Sequence, residues 1–325
     1  MQLNQTPAPR LPAGRTVEPG RAATVSVPAT SANLGPGFDT LGLALAFHDR
    51  VRVEAVADGS VEVRITGVGA DTLPLDESHL VVRTIRRTLA AAGYADTGLR
   101  LEAENAIPHG RGLGSSASAI VSGVLAGNAL LPEADRLDAD AVLNLCSAIE
   151  GHPDNVAPAL RGGLAISWEQ DGVFRSAHVP VHPEVHPVAA IPAVELSTEQ
   201  ARGLLPAAVP HAEAAANSGR AALLVHALAT APGLLFEATE EFLHQGYRAP
   251  AMPASAELIR RLRARGLPAV VSGAGPTVMV LAGSAADAGV AEALIQEAAA
   301  DIGGNWTVRR LPVAADGAKV DMHQR

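Results

Sequence analysis

Residues 108–118 read Pro-His-Gly-Arg-Gly-Leu-Gly-Ser-Ser-Ala-Ser, and this stretch indicates which fold the chain adopts. It follows an alternating pattern typical of a β-strand and precedes a small-residue, apolar run that predicts a helix over about 115–131. Gly110, Gly112 and Gly114 allow positive φ angles and a close approach to a ligand. A helix N-terminus offers free N–H groups and partial positive charge to a phosphate. Glycine spacing alone would favour a simple turn, but the double serine and the small-residue helix that follows predict an anion-binding loop.

The lysine content narrows the chemistry of this loop. Lys319 is the only lysine in the chain, and it lies in a polar C-terminal segment. A Walker-type phosphate loop, a protein kinase and a pyridoxal phosphate enzyme each require a lysine at a defined place. Phosphate bound here must instead be held by backbone N–H groups, a metal, arginine or a helix N-terminus, which we expect Ser115 and Ser116 to cap.

Composition restricts the class of protein further. The chain has 325 residues, 48% of them hydrophobic and 18% charged, which is typical of a globular protein of two domains. A net charge of −9 argues against nucleic-acid binding, and no apolar run is long enough to cross a bilayer. Cys146 is the only cysteine and lies in a helical pattern, so we interpret it as a buried structural thiol. The absence of a signal sequence and of a disulfide framework favours the cytoplasm.

Strand and helix patterns alternate in both halves of the chain, so the fold class is α+β or α/β. The first half predicts helices over 80–92, 115–131 and 139–150, and the second half predicts one over 234–244 among others. A Pro- and His-rich stretch suggests a domain boundary near 174–186. We expect four segments: a disordered tail over 1–22, domains over 23–178 and 179–314, and a polar C-terminal tail over 315–325.

Residues 108–118 resemble the nucleotide loop of the GHMP small-molecule kinases. Residues 27–42 and 271–278 are similar to the first and third motifs of the same superfamily, in the same order along the chain. Residues 150–158 (Glu-Gly-His-Pro-Asp-Asn-Val-Ala-Pro) and 243–248 (Leu-His-Gln-Gly-Tyr-Arg) resemble segments of its homoserine kinase branch. The resemblance implies an α+β fold of two domains. The first would be ribosomal-S5-like, with a left-handed β-α-β crossover, and the second ferredoxin-like, with the active site between them.

The resemblance also implies cofactors and site residues. ATP and Mg²⁺ are the expected cofactors, with Ser116 and Glu150 as metal ligands and as catalytic residues, because Mg²⁺ prefers a few oxygen ligands beside phosphate and water. The implied nucleotide-binding residues are His79, which stands where the branch usually carries an asparagine near the adenine, and Pro108, His109, Gly110, Arg111, Gly112, Leu113, Gly114, Ser115, Ser116, Ala117 and Ser118.

The implied acceptor substrate is L-homoserine, and the family also leads us to expect a homodimer. The implied substrate-binding residues are Asn33, Asp39, His152, Asn155, Arg220, Arg248 and Gly273. Arginine suits the carboxylate of an amino acid and Asp39 suits its ammonium group. Asp154 and Asn155 are both candidates to face the reacting hydroxyl, and we expect Asp154 to be mainly structural.

Three alternatives remain at this level. A GHMP kinase of the mevalonate type would leave Asp39 without an ammonium partner. A non-catalytic regulator with this fold would be expected to lack Ser116, Glu150 or the loop glycines, all of which are present. An unrelated α/β protein with a chance glycine loop would not explain five ordered motifs.

Overall fold

The computed structural model describes residues 14–323. The strands, in chain order, are β1 (Ala22–Ala32), β2 (Leu41–Val56), β3 (Val61–Gly67), β4 (Gly98–Asn105), β5 (Leu164–Gln170), β6 (Val173–Val179), β7 (His186–Pro192), β8 (Ala269–Val271), β9 (Val278–Ala282), β10 (Trp306–Arg310) and β11 (Lys319–His323). The α-helices are α1 (Leu80–Ala91), α2 (Ser115–Leu130), α3 (Ala139–Glu150), α4 (Val156–Arg161), α5 (Thr198–Gly203), α6 (His211–Ala229), α7 (Leu235–Ala238), α8 (Gln245–Arg248), α9 (Pro253–Arg263) and α10 (Ala285–Ile302).

The first half of the chain builds a seven-stranded sheet. Five strands follow the order β11-β1-β2-β4-β3, and β5 pairs with both β2 and β6. β3 and β4 are parallel and are connected through α1, while the other pairs are antiparallel. In the second part of β2, Val51, Val53 and Ala55 are buried, and the residues between them are more exposed, as the period of two of a strand requires. Helices α1, α2 and α3 pack together, and α2 also contacts β1.

The second half builds a separate four-stranded antiparallel sheet in the order β10-β7-β9-β8. Numbered from β7, this order is 4-1-3-2, the arrangement of a ferredoxin-like β-α-β-β-α-β unit. The apolar side of this unit is completed by α9 and α10, with Leu258, Leu262 and Ile295 in its core. Another apolar cluster joins the two domains. Leu34, Leu43 and Leu113 of the first domain pack in the same cluster as Leu228 and Met279 of the second. The fold is therefore α+β with two domains, as the sequence predicts.

Both predicted tails differ from the structure. Residues 1–13 lie outside the described residues, but residues 14–22 are packed against the first domain. Val17 is 3% exposed, and Arg15 pairs with Tyr94 through the backbone and with Asp135 at 2.5 Å. The segment over 315–325 is not only a tail, since β11 pairs with β1 and extends the first sheet. All five residues of this strand remain exposed, including Val320 and Met322, so backbone pairing and not side-chain burial holds it in place.

The predicted helix over 234–244 is wrong beyond its first turn. The structure has only α7 there, followed by a loop and the short helix α8. The Glu241 carboxylate accepts hydrogen bonds from the backbone N–H groups of Leu243, His244 (2.6 Å) and Gln245 (2.8 Å), and so interrupts the helix in the manner of a cap. Helices α1, α2 and α3 match their predicted bounds to within one residue. Cys146 is fully buried, and burial raises the pKa of its thiol.

Within residues 14–323, the longest helices are too polar or too short to cross a membrane.

Candidate functional site

The glycine-rich loop connects β4 to α2 and leads into the N-terminus of α2, which is open to a ligand. Gly110, Gly112 and Gly114 have φ angles of 62°, 74° and 70°. Gly114 is the N-cap of α2 and, being glycine, makes no side-chain cap to that helix. Ser115 and Ser116 are the first residues of the helix and do not cap it, contrary to the expectation from the sequence. The N–H groups at the start of α2 therefore remain available to an anion.

Two of these glycines are required by close packing. A Cβ atom on Gly112 would lie 2.1 Å from the carbonyl oxygen of Ser272, and one on Gly114 would lie 2.0 Å from Oγ1 of Thr30. Ser272 lies in the third glycine-rich motif, and its hydroxyl donates to the Gly112 carbonyl at 2.6 Å. The three motifs along the chain thus meet at one place, where the two domains join.

Ser116 and Glu150 meet at the mouth of this loop. The Ser116 hydroxyl donates to Oε1 of Glu150 at 2.6 Å, which joins the first turn of α2 to the last residue of α3. Burial raises the pKa of the Glu150 carboxyl, and the Ser116 hydrogen bond partly opposes this shift. Both residues line one cavity. Two hard oxygen groups beside the glycine-rich loop fit the modest protein ligand set that Mg²⁺ uses.

The turn after α3 places three more predicted residues in the same cavity. Asp154 is 2% exposed, and its Oδ1 lies 2.5 Å from Nδ1 of His152. Burial lowers the pKa of His152, but the hydrogen bond and charge of Asp154 outweigh this effect and leave the pKa raised. Asn155 accepts a hydrogen bond from the Thr30 hydroxyl at 2.8 Å through its Oδ1.

Asn33 and Asp39 lie in the turn between β1 and β2 and line the same cavity. Both have positive φ angles, 68° and 53°, which are uncommon for residues other than glycine. Asn33 donates from Nδ2 to the Gly273 carbonyl at 2.8 Å and accepts at Oδ1 from the Asp39 N–H at 2.9 Å. Backbone and side-chain bonds therefore fix this turn to the third glycine-rich motif.

Arg202 is a residue of the cavity that the sequence reasoning missed. Its guanidinium donates two hydrogen bonds to the Asp39 carboxylate, at 2.9 and 2.7 Å, and this contact raises the pKa of Arg202. Arg202 lies on α5, where the Ser197 hydroxyl oxygen accepts from the Gln200 N–H at 3.1 Å. The spacing Ser-x-x-Gln is a helix-start signal that could have located this helix.

Arg248 reaches the cavity from α8 and is 1% exposed. Its Nη1 lies 3.3 Å from the Gly273 carbonyl oxygen and 3.2 Å from Nδ1 of His244. Its guanidinium also lies over the ring of Phe38, 5.3 Å from the centroid. Burial lowers the pKa of Arg248.

Arg220 is not brought to the cavity with the other predicted residues. It forms an ion pair with Glu240, at 2.9 and 2.6 Å, on the outer side of α6. Arg111 is also held away from the loop interior, because its guanidinium donates to Glu195 at 2.8 Å and to the Pro192 carbonyl at 3.0 Å. Leu113, Ala117 and Ser118 are buried beneath the loop.

A second cavity adjoins the first and shares Ser115 and Ser116 with it. It is the more apolar of the two, and its lining includes His79 and His109. His79 is 5% exposed and caps α1, since its Nδ1 accepts from the Val81 N–H at 3.3 Å. Burial lowers the pKa of His79, so the ring is neutral around pH 7 and can serve as a hydrogen-bonding wall for a base.

Comparison with known proteins gives the class of this fold and site. Two protein-family models match the chain. The family model described as GHMP kinases N terminal domain matches residues 79–163, and the one described as GHMP kinases C terminal matches residues 220–301. The protein is thus an ATP-dependent kinase of the GHMP class. A homoserine kinase of Streptomyces coelicolor is 51% identical over 300 residues, covering 92% of this chain and 94% of the relative. One of Clavibacter michiganensis is 49% identical over 303 residues, covering 93% and 95%.

The structural comparison agrees with the sequence comparison. The crystal structure of homoserine kinase from Cytophaga hutchinsonii matches with a TM-score of 0.81 at 28% identity, covering 94% of this chain and 99% of that one. The chain therefore belongs to the homoserine kinase family.

Proposed function

We propose that the protein transfers the γ-phosphoryl group of ATP to the side-chain hydroxyl of L-homoserine, giving ADP and O-phospho-L-homoserine. The hydroxyl oxygen forms a bond to the γ-phosphorus, the bond from that phosphorus to the ADP oxygen breaks, and the hydroxyl proton is released. The observation that carries this proposal is a single cavity with an open helix N-terminus on one side and Asp39, Arg202 and Arg248 on the other.

The charged side of the cavity suits an α-amino acid. Asp39 and Arg202 present opposite charges side by side, and Arg248 adds a second cation. A zwitterion matches this arrangement if its ammonium group lies at Asp39 and its carboxylate at the two guanidinium groups. Asn33, His152 and Gly273 complete this part of the lining. Arg220, paired with Glu240 elsewhere, is left out of this substrate site.

The other side suits a nucleotide triphosphate. The phosphates are proposed to lie at the start of α2 over residues 108–118, with the base in the apolar cavity beside His79. Ser116 and Glu150 would hold Mg²⁺, which when bound would neutralise phosphate charge. Phosphoryl transfer depends mainly on such positioning and charge stabilisation.

No dedicated general base is included in this proposal. The Asp154 carboxylate is buried and bonded to His152, which supports a structural role, while Asn155 does not titrate. We further propose a homodimer, on family resemblance alone, and a cytoplasmic location, because the sequence has neither a signal-peptide pattern nor a disulfide framework. No membrane or nucleic-acid partner is proposed, and the net charge of −9 disfavours the latter.

A coupled ADP-release assay with L-homoserine, L-serine, L-threonine and mevalonate tests the proposal. We expect efficient ADP release with L-homoserine, and we expect Glu150→Gln to require a higher Mg²⁺ concentration for half-maximal rate. Release with mevalonate but not with L-homoserine would refute the substrate assignment. ATP binding without release in the presence of any acceptor would favour a regulatory protein.

A further inference from the structure

A buried histidine next to the substrate cavity has no part in the chemistry described above. His244 precedes α8 and is fully buried. Its Nε2 lies 2.9 Å from the carbonyl oxygen of Gly35, in the turn that carries Asn33 and Asp39. Its ring stacks on Phe38 of the same turn, with the centroids 5.0 Å apart and the planes inclined by 26°. His244 thus connects the second domain to the substrate-binding turn of the first.

The other ring nitrogen faces an arginine of the cavity. Nδ1 of His244 lies 3.2 Å from Nη1 of Arg248. A guanidinium group only donates hydrogen bonds and a carbonyl oxygen only accepts them. Nδ1 must therefore be unprotonated and Nε2 must carry the hydrogen. The two neighbours select the same neutral tautomer, which bonds both of them at once.

The charged groups around the ring are compatible with this tautomer. Burial lowers the pKa of His244, and the neighbouring Arg248 cation lowers it further. Glu241 and Asp39 act in the opposite direction, and an oxygen of Glu241 lies 3.9 Å from Nε2. Both oxygens of the Glu241 carboxylate already accept backbone N–H groups, which weakens its pull on a ring proton.

We propose that His244 is a positioning residue for the substrate, which holds the guanidinium of Arg248 at the cavity and joins it to the turn carrying Asn33 and Asp39. The other hydrogen bonds of the Arg248 side chain are long: its Nη1 lies 3.3 Å from the Gly273 carbonyl and its Nε 3.4 Å from the Ala201 carbonyl, while its contact with the ring face of Phe38 fixes no donor direction. Without the Nδ1 acceptor the guanidinium would rotate, because its long side chain has many rotamers. This inference rests on the proposed function, in which Arg248 binds the substrate carboxylate.

Two substitutions separate the roles of the two ring nitrogens. The amide of asparagine can place an acceptor near the position of Nδ1, so His244→Asn keeps a partner for Arg248 and loses the bond to Gly35. The amide of glutamine reaches the position of Nε2, so His244→Gln keeps the bond to Gly35 and loses the acceptor for Arg248. His226, exposed near the end of α6, provides a matched histidine control as His226→Ala.

We expect the KM for L-homoserine to rise about 10-fold or more in His244→Gln, the order expected for one hydrogen bond to a charged group. It should stay within about 3-fold of wild type in His244→Asn and within about 2-fold in His226→Ala, with the KM for ATP unchanged in all three. Equal KM values for L-homoserine in the two His244 variants would overturn the proposal. An increase in the KM for ATP in parallel would indicate a general structural defect and would also overturn it.

A tautomer measurement covers the case in which a variant does not fold. Two-bond ¹H–¹⁵N correlation spectra of the wild-type protein should show His244 as a neutral ring protonated at Nε2 between pH 6 and 8. A ring protonated at Nδ1, or at both nitrogens, would overturn the proposal. Failure of the proposed function is distinguishable, because then the wild-type protein would release no ADP with L-homoserine while this spectrum would be unaffected.

Discussion

Asp39 and Arg202 form a two-pronged ion pair in the lining of the cavity between the two domains, with each carboxylate oxygen accepting a hydrogen bond from one terminal nitrogen of the guanidinium. Asp39 belongs to the turn after β1, whereas Arg202 is supplied by α5 after the first strand of the second domain. The pair therefore connects the domains at the place where the acceptor substrate is proposed to bind. The Asp39 side chain is 37% exposed and the Arg202 side chain 38%, so a substrate can reach both charges.

Replacing Arg202 by lysine tests this pair. Arg202→Lys keeps the positive charge but removes the two-pronged geometry, which lysine cannot reproduce. We expect the KM for L-homoserine to rise by about 10- to 100-fold, corresponding to about 1.5–3 kcal/mol for a hydrogen bond to a charged group. The KM for ATP should change by less than about 2-fold, because Arg202 does not line the apolar cavity proposed for the base and is paired with Asp39. Steady-state kinetics with each substrate varied in turn would check this, and a larger effect on ATP would contradict it.

The glycine-rich loop could be located from the sequence because its parts are local. Gly110, Gly112 and Gly114 and the start of α2 are consecutive in the chain, so their chemistry can be identified without tertiary structure. The α1, α2 and α3 bounds follow for the same reason, since each helix has its own apolar pattern and stop signal. The strand β11 could not be found in this way, because it is held by backbone pairing to β1 and not by buried side chains.

The side of the cavity proposed to hold the acceptor substrate is harder to derive from the sequence, because it is assembled from distant segments. Arg202 and Arg220 are both helical arginines with an unremarkable surrounding sequence, and only tertiary structure shows which one faces Asp39. The short helix α5 and the Glu241 interruption before α8 both depend on side-chain to backbone bonds. Such bonds give weaker sequence signals than apolar periodicity does.

Replacing Arg220 by alanine distinguishes the two arginines directly. Arg220→Ala removes an exposed ion pair between Arg220 on α6 and Glu240 in the loop after α7, so the kinetic constants for L-homoserine should stay within about 2-fold of wild type. The matched variant Arg202→Ala should raise the KM for L-homoserine at least as much as Arg202→Lys does. Circular dichroism on both variants would show that the fold is retained. A strong loss of L-homoserine affinity in Arg220→Ala alone would place the substrate carboxylate at α6 instead.

Gly114 offers a test of the helix N-terminus. Gly114→Ala adds a Cβ that would lie 2.0 Å from Oγ1 of Thr30, at a residue with a φ of 70°. The left-handed conformation alone costs about 1–2 kcal/mol with a side chain, and the clash must displace the loop or Thr30. We expect a rise in the KM for ATP and a lower melting temperature. Gly289→Ala on α10 is the control, because its Cβ would meet nothing closer than 3.5 Å and alanine favours a helix by about 0.5–1 kcal/mol. Unchanged ATP kinetics in Gly114→Ala would contradict the proposed phosphate position.

Asp49 supports the same loop from below, and its charge predicts a pH dependence of stability. Its carboxylate accepts hydrogen bonds from the N–H groups of Ala106 (2.7 Å) and Ile107 (2.9 Å) and from the Ser118 hydroxyl (3.1 Å). Burial raises the pKa of Asp49 above its ordinary value, although these hydrogen bonds partly oppose the shift. Because the pKa of Asp49 is raised in the folded state, protonation of this carboxyl stabilises the folded protein. This stabilisation is complete below the ordinary pKa near 3.8 and is lost as the pH rises through the folded-state pKa.

Asparagine at this position keeps the two backbone bonds and can donate to Ser118 without placing a charge in the interior. Asp49→Asn should therefore melt at a higher temperature than wild type at pH 7, and this difference should shrink towards pH 4 as the wild-type carboxyl becomes protonated. Asp49→Ala removes all three acceptor contacts and should destabilise the protein by about 1–3 kcal/mol at either pH, because two backbone N–H groups lose their partner. Thermal unfolding of the three proteins across this pH range provides the measurement. If Asp49→Asn were less stable than wild type at pH 7, with the gap closing towards pH 4, the hydrogen bonds to the charged form would outweigh its burial.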